Sequence, residues 1–479
     1  MKIILENLGV FKYAEYELAD LNIICGENNS GKTYAMYALY GFLDFWRKSQ
    51  LFDYRSLFNI NDAEINKTIM DSGILVIPLA VSIEAINKSL FDACKNFYSG
   101  HHISNVLTGQ SQYFANTKFT LQITSDDHIK ILDKYEKKMQ APNGDQIFQL
   151  IKVSGVDELV ISILLEDKAK ANFYNLHNLI NTAIREILFD SILPEVFVAC
   201  TERTGAVIFN DELDIQRNAL QNLSDDILNN PNSLFDAVYK MKYPLPVRRN
   251  IDFIRKLKNV IKEESYFAKE YPEVLKFFDD EVVKGKYKLD EKSGIVSYIP
   301  RQKSLDNKVA KLTLNEASSS VRALLDLSFY LHYLAKPGQL LVIDEPELNL
   351  HPKSQRKIAR LLVMLIKIGV KVFVATHSDY IIKELNTLIM LSNHENKQLA
   401  LEIAEENGYN LALEKLDVKQ VKVYISEKKS IIIPDSVKKE KLQTLTMAEI
   451  DPFYGIEAKS FDDTINEMNK LQRLIAYGV

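Results

Sequence analysis

Cysteine is scarce in this chain. Its 479 residues contain three, and none has the spacing of metal ligands: Cys25, Cys94 and Cys200. Hydrophobic runs are short as well, and no uninterrupted apolar stretch approaches the length of a membrane span. The apolar run at Met1 to Glu6 is too short, and too soon interrupted by charge, for a signal peptide. An odd number of unpaired cysteines is typical of a reducing compartment, so we expect a cytoplasmic protein without a membrane partner.

The sequence also lacks sustained heptads, an internal repeat and a large excess of one charge. Its 59 basic and 64 acidic side chains leave a formal net charge of −5, so no general affinity for nucleic acid is indicated, although a local basic patch remains open. Without heptads, a long coiled-coil arm is not expected. The length predicts two or three domains with a large buried core.

A glycine-rich loop lies near the start of the chain. Gly26 to Thr33 reads Gly-Glu-Asn-Asn-Ser-Gly-Lys-Thr, the pattern of a phosphate-binding loop. Leu21 to Cys25 predicts a strand before it, and Tyr34 to Leu43 predicts a helix after it. Glycines let backbone N–H groups face phosphate oxygens, and the helix N-terminus adds partial positive charge. We predict that Lys32 reaches the β- and γ-phosphates of ATP and that Thr33 binds Mg²⁺. The residues predicted to contact ATP are Gly26, Asn28, Asn29, Ser30, Gly31, Lys32 and Thr33.

Two carboxylates about three hundred residues later complete the predicted site. The apolar run Leu340 to Ile343 predicts a buried parallel strand, and Asp344 and Glu345 follow it directly. An isolated acid pair is usually a solvated strand end. In open α/β sheets, however, ligands bind at the carboxyl ends of the strands. With the phosphate-binding loop present, we expect Asp344 to help hold Mg²⁺ and Glu345 to polarise the attacking water.

Further candidate site residues lie near the ends of other predicted strands and helices. Val370 to Thr376 predicts the next buried strand, and His377 after it is placed to contact the γ-phosphate. His351, in the turn after the acids, either packs internally or crosses a subunit interface. A serine cluster precedes an apolar helix over Leu324 to Leu334, which is typical of a helix N-terminus that can face an anion. Its members are Ser318, Ser319 and Ser320.

Two basic features lie in the long middle of the chain. Arg203 follows a strand-like run, Val196 to Ala199, and either contacts phosphate or pairs with a nearby acid. The second feature is a basic segment in which Pro244 and Pro246 suggest a linker and Asn250 suggests a helix cap. The segment is either one solvated helix face or a site for nucleic acid or an acidic partner. Its basic residues are Lys240, Lys242, Arg248, Arg249, Arg255, Lys256, Lys258 and Lys262.

Taken in order, these motifs resemble ABC-type ATPases of the SMC, RecF and OLD kind. The wording Asp-Glu-Pro-Glu-Leu-Asn-Leu-His-Pro over 344–352, with a later Thr-His-Ser at 376–378, is similar to the OLD-like ATPases of antiphage systems. The resemblance implies an α/β P-loop NTPase fold of the ABC/SMC type, with a mixed central sheet, an N-terminal antiparallel β element and a large, mainly helical insertion. The implied division is an N-terminal lobe at 1–45, the insertion at 46–284, a C-terminal lobe at 285–390 and a small closing segment at 391–479.

The chain departs from these relatives in informative places. Ser318 to Ser320 replace the Leu-Ser-Gly-Gly-Gln signature of transporters. Gln110 and Gln112 are candidates for the Q-loop glutamine by residue type alone. OLD nucleases carry a TOPRIM domain, but about ninety residues after Glu384 are too few for one and contain no Asp-x-Asp. A nuclease is therefore expected on another chain, as in two-component antiphage systems of the PARIS or Septu type.

The resemblance also implies a mechanism and a partner. Lys32 and the loop hold the phosphates, Glu345 activates water, and His377 contacts the γ-phosphate. The signature serines act in trans, so two ATP molecules join a head-to-tail homodimer or a higher homo-oligomer. ATP binding closes the dimer and hydrolysis opens it, which makes the protein a switch.

What the switch controls leaves three hypotheses. The first is the control of a separate effector, a nuclease or toxin, in antiphage defence. The second is a RecF- or SMC-like repair ATPase that grips DNA, which the basic segment supports and the net charge opposes. The third is a transporter subunit, which the divergent serines oppose.

Overall fold

The computed structural model describes most of the chain. The described residues are 1–48, 53–108, 113–124, 127, 129–140, 146–164, 173–209, 243–302, 310–433, 438–457 and 468–475. Some residues named from the sequence lie outside them: Gln110, Gln112, Lys240 and Lys242. The chain forms two compact units. Unit one comprises Met1–Ile4, Phe42–Ser99 and Lys118–Glu195, and unit two comprises Leu5–Gly41, Gly100–Thr117 and Val196–Val479.

The strands are numbered in chain order. They are β1 (Lys2–Leu8), β2 (Phe11–Glu17), β3 (Leu21–Gly26), β4 (Ile74–Pro78), β5 (Lys118–Gln122), β6 (Tyr135–Gln140), β7 (Gln146–Lys152), β8 (Glu158–Ile163), β9 (Val196–Ala199), β10 (Gly285–Leu289), β11 (Val296–Pro300), β12 (Leu312–Thr313), β13 (Leu340–Asp344), β14 (Lys371–Thr376), β15 (Val421–Ile432), β16 (Lys439–Met447), β17 (Ile450–Asp451) and β18 (Gly455–Ile456).

The α-helices are numbered in the same way. They are α1 (Lys32–Lys48), α2 (Tyr54–Phe58), α3 (Asp62–Ser72), α4 (Ile83–Ala93), α5 (His101–Leu107), α6 (Phe173–Ile184), α7 (Arg203–Ile208), α8 (Leu245–Arg255), α9 (Leu257–Val260), α10 (Tyr266–Glu270), α11 (Pro272–Phe277), α12 (Ser319–Phe329), α13 (Pro352–Ile368), α14 (Asp379–Asn393) and α15 (Lys397–Glu406). Four of them, α4, α6, α11 and α12, continue directly into a π-helical turn: Cys94–Tyr98, Arg185–Phe189, Phe278–Val283 and Tyr330–Leu334.

Unit one contains an antiparallel sheet of strands in the order β4-β8-β7-β6. The sequence did not predict this sheet, in which β6, for example, has no apolar run and alternates half-buried and exposed residues. Aromatic rings form part of the core of the unit. Phe42 stacks on Phe119 and meets the edge of Tyr98, and Trp46 packs on Phe189.

The main sheet of unit two is mixed, as the sequence predicts. Within the described part of this unit its strand order is β1-β2-β16-β15-β3-β14-β13-β9. From β15 to β9 all neighbours are parallel, and β16 is antiparallel to β15. Strands β3 and β13 are buried along their whole length, which explains their near-continuous apolar sequences. The predicted fold class, α/β with a mixed central sheet, is confirmed.

This strand order determines which loops meet. Strand β14 lies between β3 and β13, and all three are parallel, so their carboxyl ends share one edge. The residues that follow them are the glycine-rich loop, His377 and Glu345. Helices α12, α13 and α14 pack against the same strands in one large apolar core, with Leu341, Ile343 and Leu362 fully or almost fully buried. The core therefore fixes the sheet edge on which the candidate site lies.

Two local predictions about the basic segment are wrong. Pro244 and Pro246 do not form a linker, because α8 begins at Leu245 with Pro246 in its first turn, where a proline costs no hydrogen bond. Asn250 caps no helix and lies inside α8. Its side chain instead accepts a hydrogen bond from the Cys200 N–H at 2.8 Å and donates to the Val198 carbonyl at 2.6 Å. Helix α8 thus fastens the end of strand β9.

Strands β10 and β11 form a hairpin, and α13 ends at Gly369 with φ +97°. Ser318 caps α12, which agrees with the predicted helix N-terminus at the serine cluster. None of the described helices combines the length and the apolar character that crossing a membrane requires.

Candidate functional site

The glycine-rich loop connects β3 to α1, as expected. Its glycines adopt conformations that other residues rarely take, with φ +140° at Gly26 and +90° at Gly31. A Cβ atom at Gly31 would lie 2.6 Å from a ring carbon of Phe11, and one at Gly26 would lie 2.7 Å from the Ser426 carbonyl oxygen. Asn29 is also left-handed, with φ +60°. The side chains of Asn28 and Asn29 are exposed, whereas Ser30 is buried.

Lys32 is the first residue of α1, and its side chain folds back into the loop. The Nζ atom donates to the carbonyl oxygens of Gly26 at 3.0 Å and Glu27 at 2.6 Å. Burial lowers the pKa of Lys32, and the negative charge of Asp344 opposes that shift. A phosphate group in the loop would therefore meet a cation that is already oriented and partly stripped of water.

Thr33 and Asp344 form the part of the site that suits a hard cation. The Thr33 hydroxyl donates to Oδ1 of Asp344 at 3.3 Å. The other carboxyl oxygen of Asp344 is buried without a hydrogen-bond partner among the described residues. Burial raises the pKa of Asp344 to about 7, and the neighbouring Tyr37 and Thr33 hydroxyls oppose the shift. Beside nucleotide phosphates, Mg²⁺ usually takes only one or two oxygen ligands from the protein. A hydroxyl and a carboxylate are such ligands, so Thr33 and Asp344 fit the ion.

Glu345 lies at the end of β13 and faces His377. The Nε2 atom of His377 is 3.1 Å from Oε1 of Glu345, and its Nδ1 atom is 3.3 Å from the Gly26 carbonyl oxygen. The imidazole therefore joins the loop to the acid. Glu345 has a left-handed backbone, with φ +50°, and its N–H donates to the Ala375 carbonyl at 2.9 Å. The structure thus brings the predicted loop, Asp344, Glu345 and His377 together.

Glu347 orients His377, a role that the sequence did not predict. Its carboxylate accepts the backbone N–H of His377 at 2.7 Å and the Thr376 hydroxyl at 2.9 Å. Burial raises the pKa of Glu347, and the hydrogen bond from the His377 N–H opposes the shift. The one available signal was its place two residues after Glu345, in a turn at the same sheet edge.

The serine cluster stands apart from these contacts. Ser318 and Ser319 are exposed at the start of α12, and the Ser318 hydroxyl accepts the Val321 N–H at 3.4 Å. Ser318 also shares a 2.8 Å hydrogen bond with Ser320. Within the described residues, no hydrogen bond joins the cluster to the glycine-rich loop. His351 does not pack internally: its exposed ring caps α13 by accepting the Lys353 N–H at 3.3 Å. Its alternative role at a subunit interface stays a prediction.

Strand β15 provides a further support for the loop. The Ser426 hydroxyl donates to the Ser30 carbonyl at 2.6 Å and accepts from Nε2 of Gln443 at 2.9 Å. A cavity of about 700 Å³ opens between the loop and the β15–β16 hairpin. Ser426 ends the buried part of its strand, as Thr376 and Asp344 end theirs, which is the signal that could have identified it.

The predicted contact of Arg203 with phosphate stays a prediction, and its predicted pairing with a nearby acid is not found. Its buried guanidinium contacts no carboxylate oxygen within salt-bridge distance in the described chain. It donates instead to backbone carbonyls, among them those of Asp344 and Glu345, both at 2.8 Å. Arg203 therefore supports the site through the backbone carbonyl groups of the two acids, not through a contact with their side chains.

Known proteins are similar to this chain in sequence and in fold. The model of the AAA ATPase domain family matches residues 1–382. A search of the curated proteins found no match. Among solved structures, the chain is similar to an SMC head bound to the C-terminal winged-helix domain of ScpA, with 10% identity and a TM-score of 0.32, covering 93% of this chain and 97% of that one.

Two further solved structures are SMC heads. The first, with an extended coiled coil and the C-terminal domain of ScpA, derives from Pyrococcus furiosus and has 10% identity and a TM-score of 0.30, covering 98% of each chain. The second, from Thermotoga maritima, has 9% identity and a TM-score of 0.28, covering 94% of this chain and 98% of that one. Since the family model spans most of the sequence, this chain belongs to the AAA ATPase domain family.

Proposed function

We propose that this chain is an ATP-hydrolysing switch that forms a head-to-tail homodimer around ATP and controls a separate effector protein, a nuclease or toxin, in antiphage defence. The observation that carries the proposal is the pair of contacts made by His377, one to Glu345 and one to the Gly26 carbonyl. Those contacts hold an acid, an imidazole and a phosphate-binding loop at one sheet edge.

Each side chain has a defined task in this proposal. Lys32 and the loop N–H groups bind the phosphates. Glu345 accepts a proton from the water that attacks the γ-phosphate, and His377 contacts the γ-phosphate and keeps Glu345 in place. Mg²⁺, held by Thr33 with the help of Asp344, would neutralise charge on the phosphates. Glu347 keeps the His377 ring between the loop and the acid.

The dimer proposal rests on the serine cluster. Ser318 and Ser319 are exposed and form no hydrogen bond with their own loop in the described chain, so both are accessible to a nucleotide held by another subunit. If two copies exchange these serines, the contact is isologous and each ATP is enclosed by two chains. ATP binding then favours the closed dimer by the free energy of the contacts that the two chains share with the nucleotide. Hydrolysis removes those contacts and their free energy.

The effector proposal draws on the C-terminal segment and on the resemblance to OLD-like ATPases. Strands β15 and β16 pair with β3 and β2, so this part of the segment is used to build the ATPase sheet. With it we propose the division into lobes at 1–45 and 285–390, an insertion at 46–284 and a closing segment at 391–479. We propose a separate effector protein because the resemblance to two-component antiphage systems implies one.

DNA binding by the ATPase itself is the second candidate. The basic segment favours it, but several of its side chains are engaged within the chain. Arg249 and Arg255 lie 3.8 and 4.0 Å from Asp252, and Lys258 donates to the Lys292 carbonyl at 3.1 Å. These contacts reduce the charge that the segment offers to phosphate groups.

A native pull-down tests the proposal. Tagged Glu345→Gln is expressed in its own host and isolated with ATP and Mg²⁺, with Lys32→Ala as the matched control that does not bind nucleotide. A stoichiometric second protein on the first variant, absent from the second, is the expected result. Elution alone, or with nuclease-sensitive DNA whose binding weakens steeply with salt, would replace the effector proposal by the DNA clamp.

A further inference from the structure

The Arg203 guanidinium is held by backbone oxygens alone. Its side chain is 3% exposed. Nε donates to the Ala323 carbonyl at 2.8 Å, Nη1 to those of Cys200 at 2.7 Å and Asp344 at 2.8 Å, and Nη2 to that of Glu345 at 2.8 Å. These oxygens belong to three separate parts of the chain: the end of β9, the end of β13 and helix α12. One rigid, planar group therefore joins three elements.

The charge of Arg203 also has its counterpart on α12. Burying a guanidinium is costly unless an opposite charge is near. Asp326, three residues after Ala323, is 1% exposed, and neither of its carboxyl oxygens has a hydrogen-bond partner among the described residues. Burial raises the pKa of Asp326 to about 7, and the charge of Arg203 opposes the shift. Helix α12 is thus connected to Arg203 by a hydrogen bond and by charge.

On the opposite side, Arg203 holds the backbone of Glu345. Glu345 has φ +50°, which is a left-handed backbone conformation. This conformation is unfavourable for a residue that has a Cβ atom, and it persists only where the surrounding structure holds it. The Ala375 carbonyl holds the N–H of Glu345 and Arg203 holds its carbonyl. The Glu345 side chain, directed at His377, depends on this backbone.

The serine cluster lies at the other end of the same connection. Ser318 is the cap of α12, and Ala323 is five positions further along, about 7.5 Å along the helix axis. An α-helix of this length moves as a rigid body. A displacement of the serines toward a ligand therefore moves the Ala323 carbonyl with them.

We infer that Arg203 is a positioning residue that couples the serine end of α12 to the catalytic Glu345, so that capture of a partner's ATP by the serines of one subunit sets the hydrolytic geometry in that subunit's own site. The inference rests on the proposed head-to-tail dimer. The coupling makes the two ATP sites of the dimer cooperative. Neither subunit's site reaches its active geometry until that subunit's serines have bound the ATP of the other subunit.

Arg203→Lys is the variant that tests this coupling. Lysine keeps the charge, but its compact ammonium cannot reach all four carbonyls in a fixed plane. Wild-type turnover is expected to depend on ATP with a Hill coefficient above 1, and 2 is its upper limit because the dimer has two sites. In the variant the Hill coefficient is expected to fall toward 1 and kcat to fall at least about tenfold, while the Kd for a fluorescent ATP analogue stays within about threefold.

Arg360→Lys is the matched control. Arg360, on α13, is also a buried arginine of unit two, 5% exposed, and it pairs with Glu414 at 2.8 Å. Among the described residues it forms no hydrogen bond or ion pair with the site residues. This control is expected to lower the unfolding temperature and to keep both kcat and the Hill coefficient. If Arg203→Lys does not fold, Asp326→Asn, which removes the countercharge at nearly constant shape, replaces it and is expected to lower the Hill coefficient in the same direction.

The outcomes separate this inference from the proposed function. A wild-type protein that dimerises with ATP and hydrolyses it cooperatively, together with an Arg203→Lys variant that keeps its kcat and Hill coefficient, would overturn the coupling and leave the proposed function intact. A kcat loss that only follows the folded fraction, as in the Arg360→Lys control, would overturn it as well. A wild-type protein that stays monomeric with ATP would overturn the dimer and the coupling together.

Discussion

The Nε2 atom of His377 lies 3.1 Å from Oε1 of Glu345, and this contact orders the candidate site. It joins residues from the ends of two neighbouring strands, β14 and β13. Because Nδ1 of the same ring faces the Gly26 carbonyl, a phosphate entering the loop meets the imidazole and, through it, the acid.

Glu345→Gln is expected to lower kcat by about 10²- to 10⁴-fold, since an amide cannot accept the proton of the attacking water. ATP affinity is expected to be kept, because the loop is unchanged, and the dimer to persist with ATP bound. Turnover assays and size-exclusion chromatography with light scattering check both points. Lys32→Ala is expected to remain monomeric under the same conditions. A Glu345→Gln protein that turns over ATP at the wild-type rate would contradict the assignment.

Glu347→Ala is expected to lower kcat about tenfold with little change in ATP affinity. The change removes the acceptor of the His377 N–H and the Thr376 hydroxyl, so the imidazole loses its orientation toward Glu345. Leaving these donors unpaired also costs about 1–3 kcal/mol of unfolding free energy. Steady-state kinetics and urea denaturation measure the two effects. A variant that loses stability and keeps kcat would show that Glu347 supports the fold alone.

Ser426→Ala is expected to weaken ATP binding several-fold. The hydroxyl fixes the Ser30 carbonyl, and without it the loop has more conformations to lose when the phosphates bind. Isothermal titration with a non-hydrolysable ATP analogue measures the effect. Ser430→Ala is the matched control, because Ser430 lies on the same strand, is exposed and pairs with Lys441. Equal affinities in the two variants would remove Ser426 from the site.

His332 is expected to make the stability of the protein depend on pH. Burial alone would lower its pKa, but the hydrogen bond to Asp279, the negative charge of Asp279 and the Ser328 carbonyl outweigh burial and the nearby Lys286, so the pKa of His332 is raised. A raised pKa in the folded state gives stability that is fully present below the unfolded value near 6.5. That stability is lost as the pH rises through the folded-state pKa.

The measurement is urea unfolding of the wild type and His332→Gln between pH 5.5 and 8.5. The stability difference between them is expected to be larger at the acidic end. His394→Gln, at a half-buried histidine that follows the C-terminal end of α14, is the control variant. A His332→Gln difference that grows with rising pH would reverse the sign and refute the pairing with Asp279.

The sequence predicts the parts of the site that lie in continuous motifs. The loop at 26–33, the acids at the end of β13 and His377 after β14 each lie at the end of an apolar strand, and neighbouring parallel strands end at one edge of the sheet. Ser426 could not be found in this way, because it meets Ser30 from 396 positions away. The role of Arg203 depends on carbonyl groups, which every residue carries and no motif marks. The predicted linker at Pro244 and Pro246 was wrong because a proline is as typical of the first turn of a helix as of a linker.

The place of β3 between β14 and β15 has a consequence for the synthesis of the protein. The strand that carries the nucleotide loop leaves the ribosome among the first residues, but its two neighbours are made only at 371–376 and 421–432. Until then the apolar strand β3 lacks these two neighbours, and strands so far apart in the sequence pair slowly. We therefore expect a nascent chain to form its nucleotide loop late, only after the β15 strand has been translated.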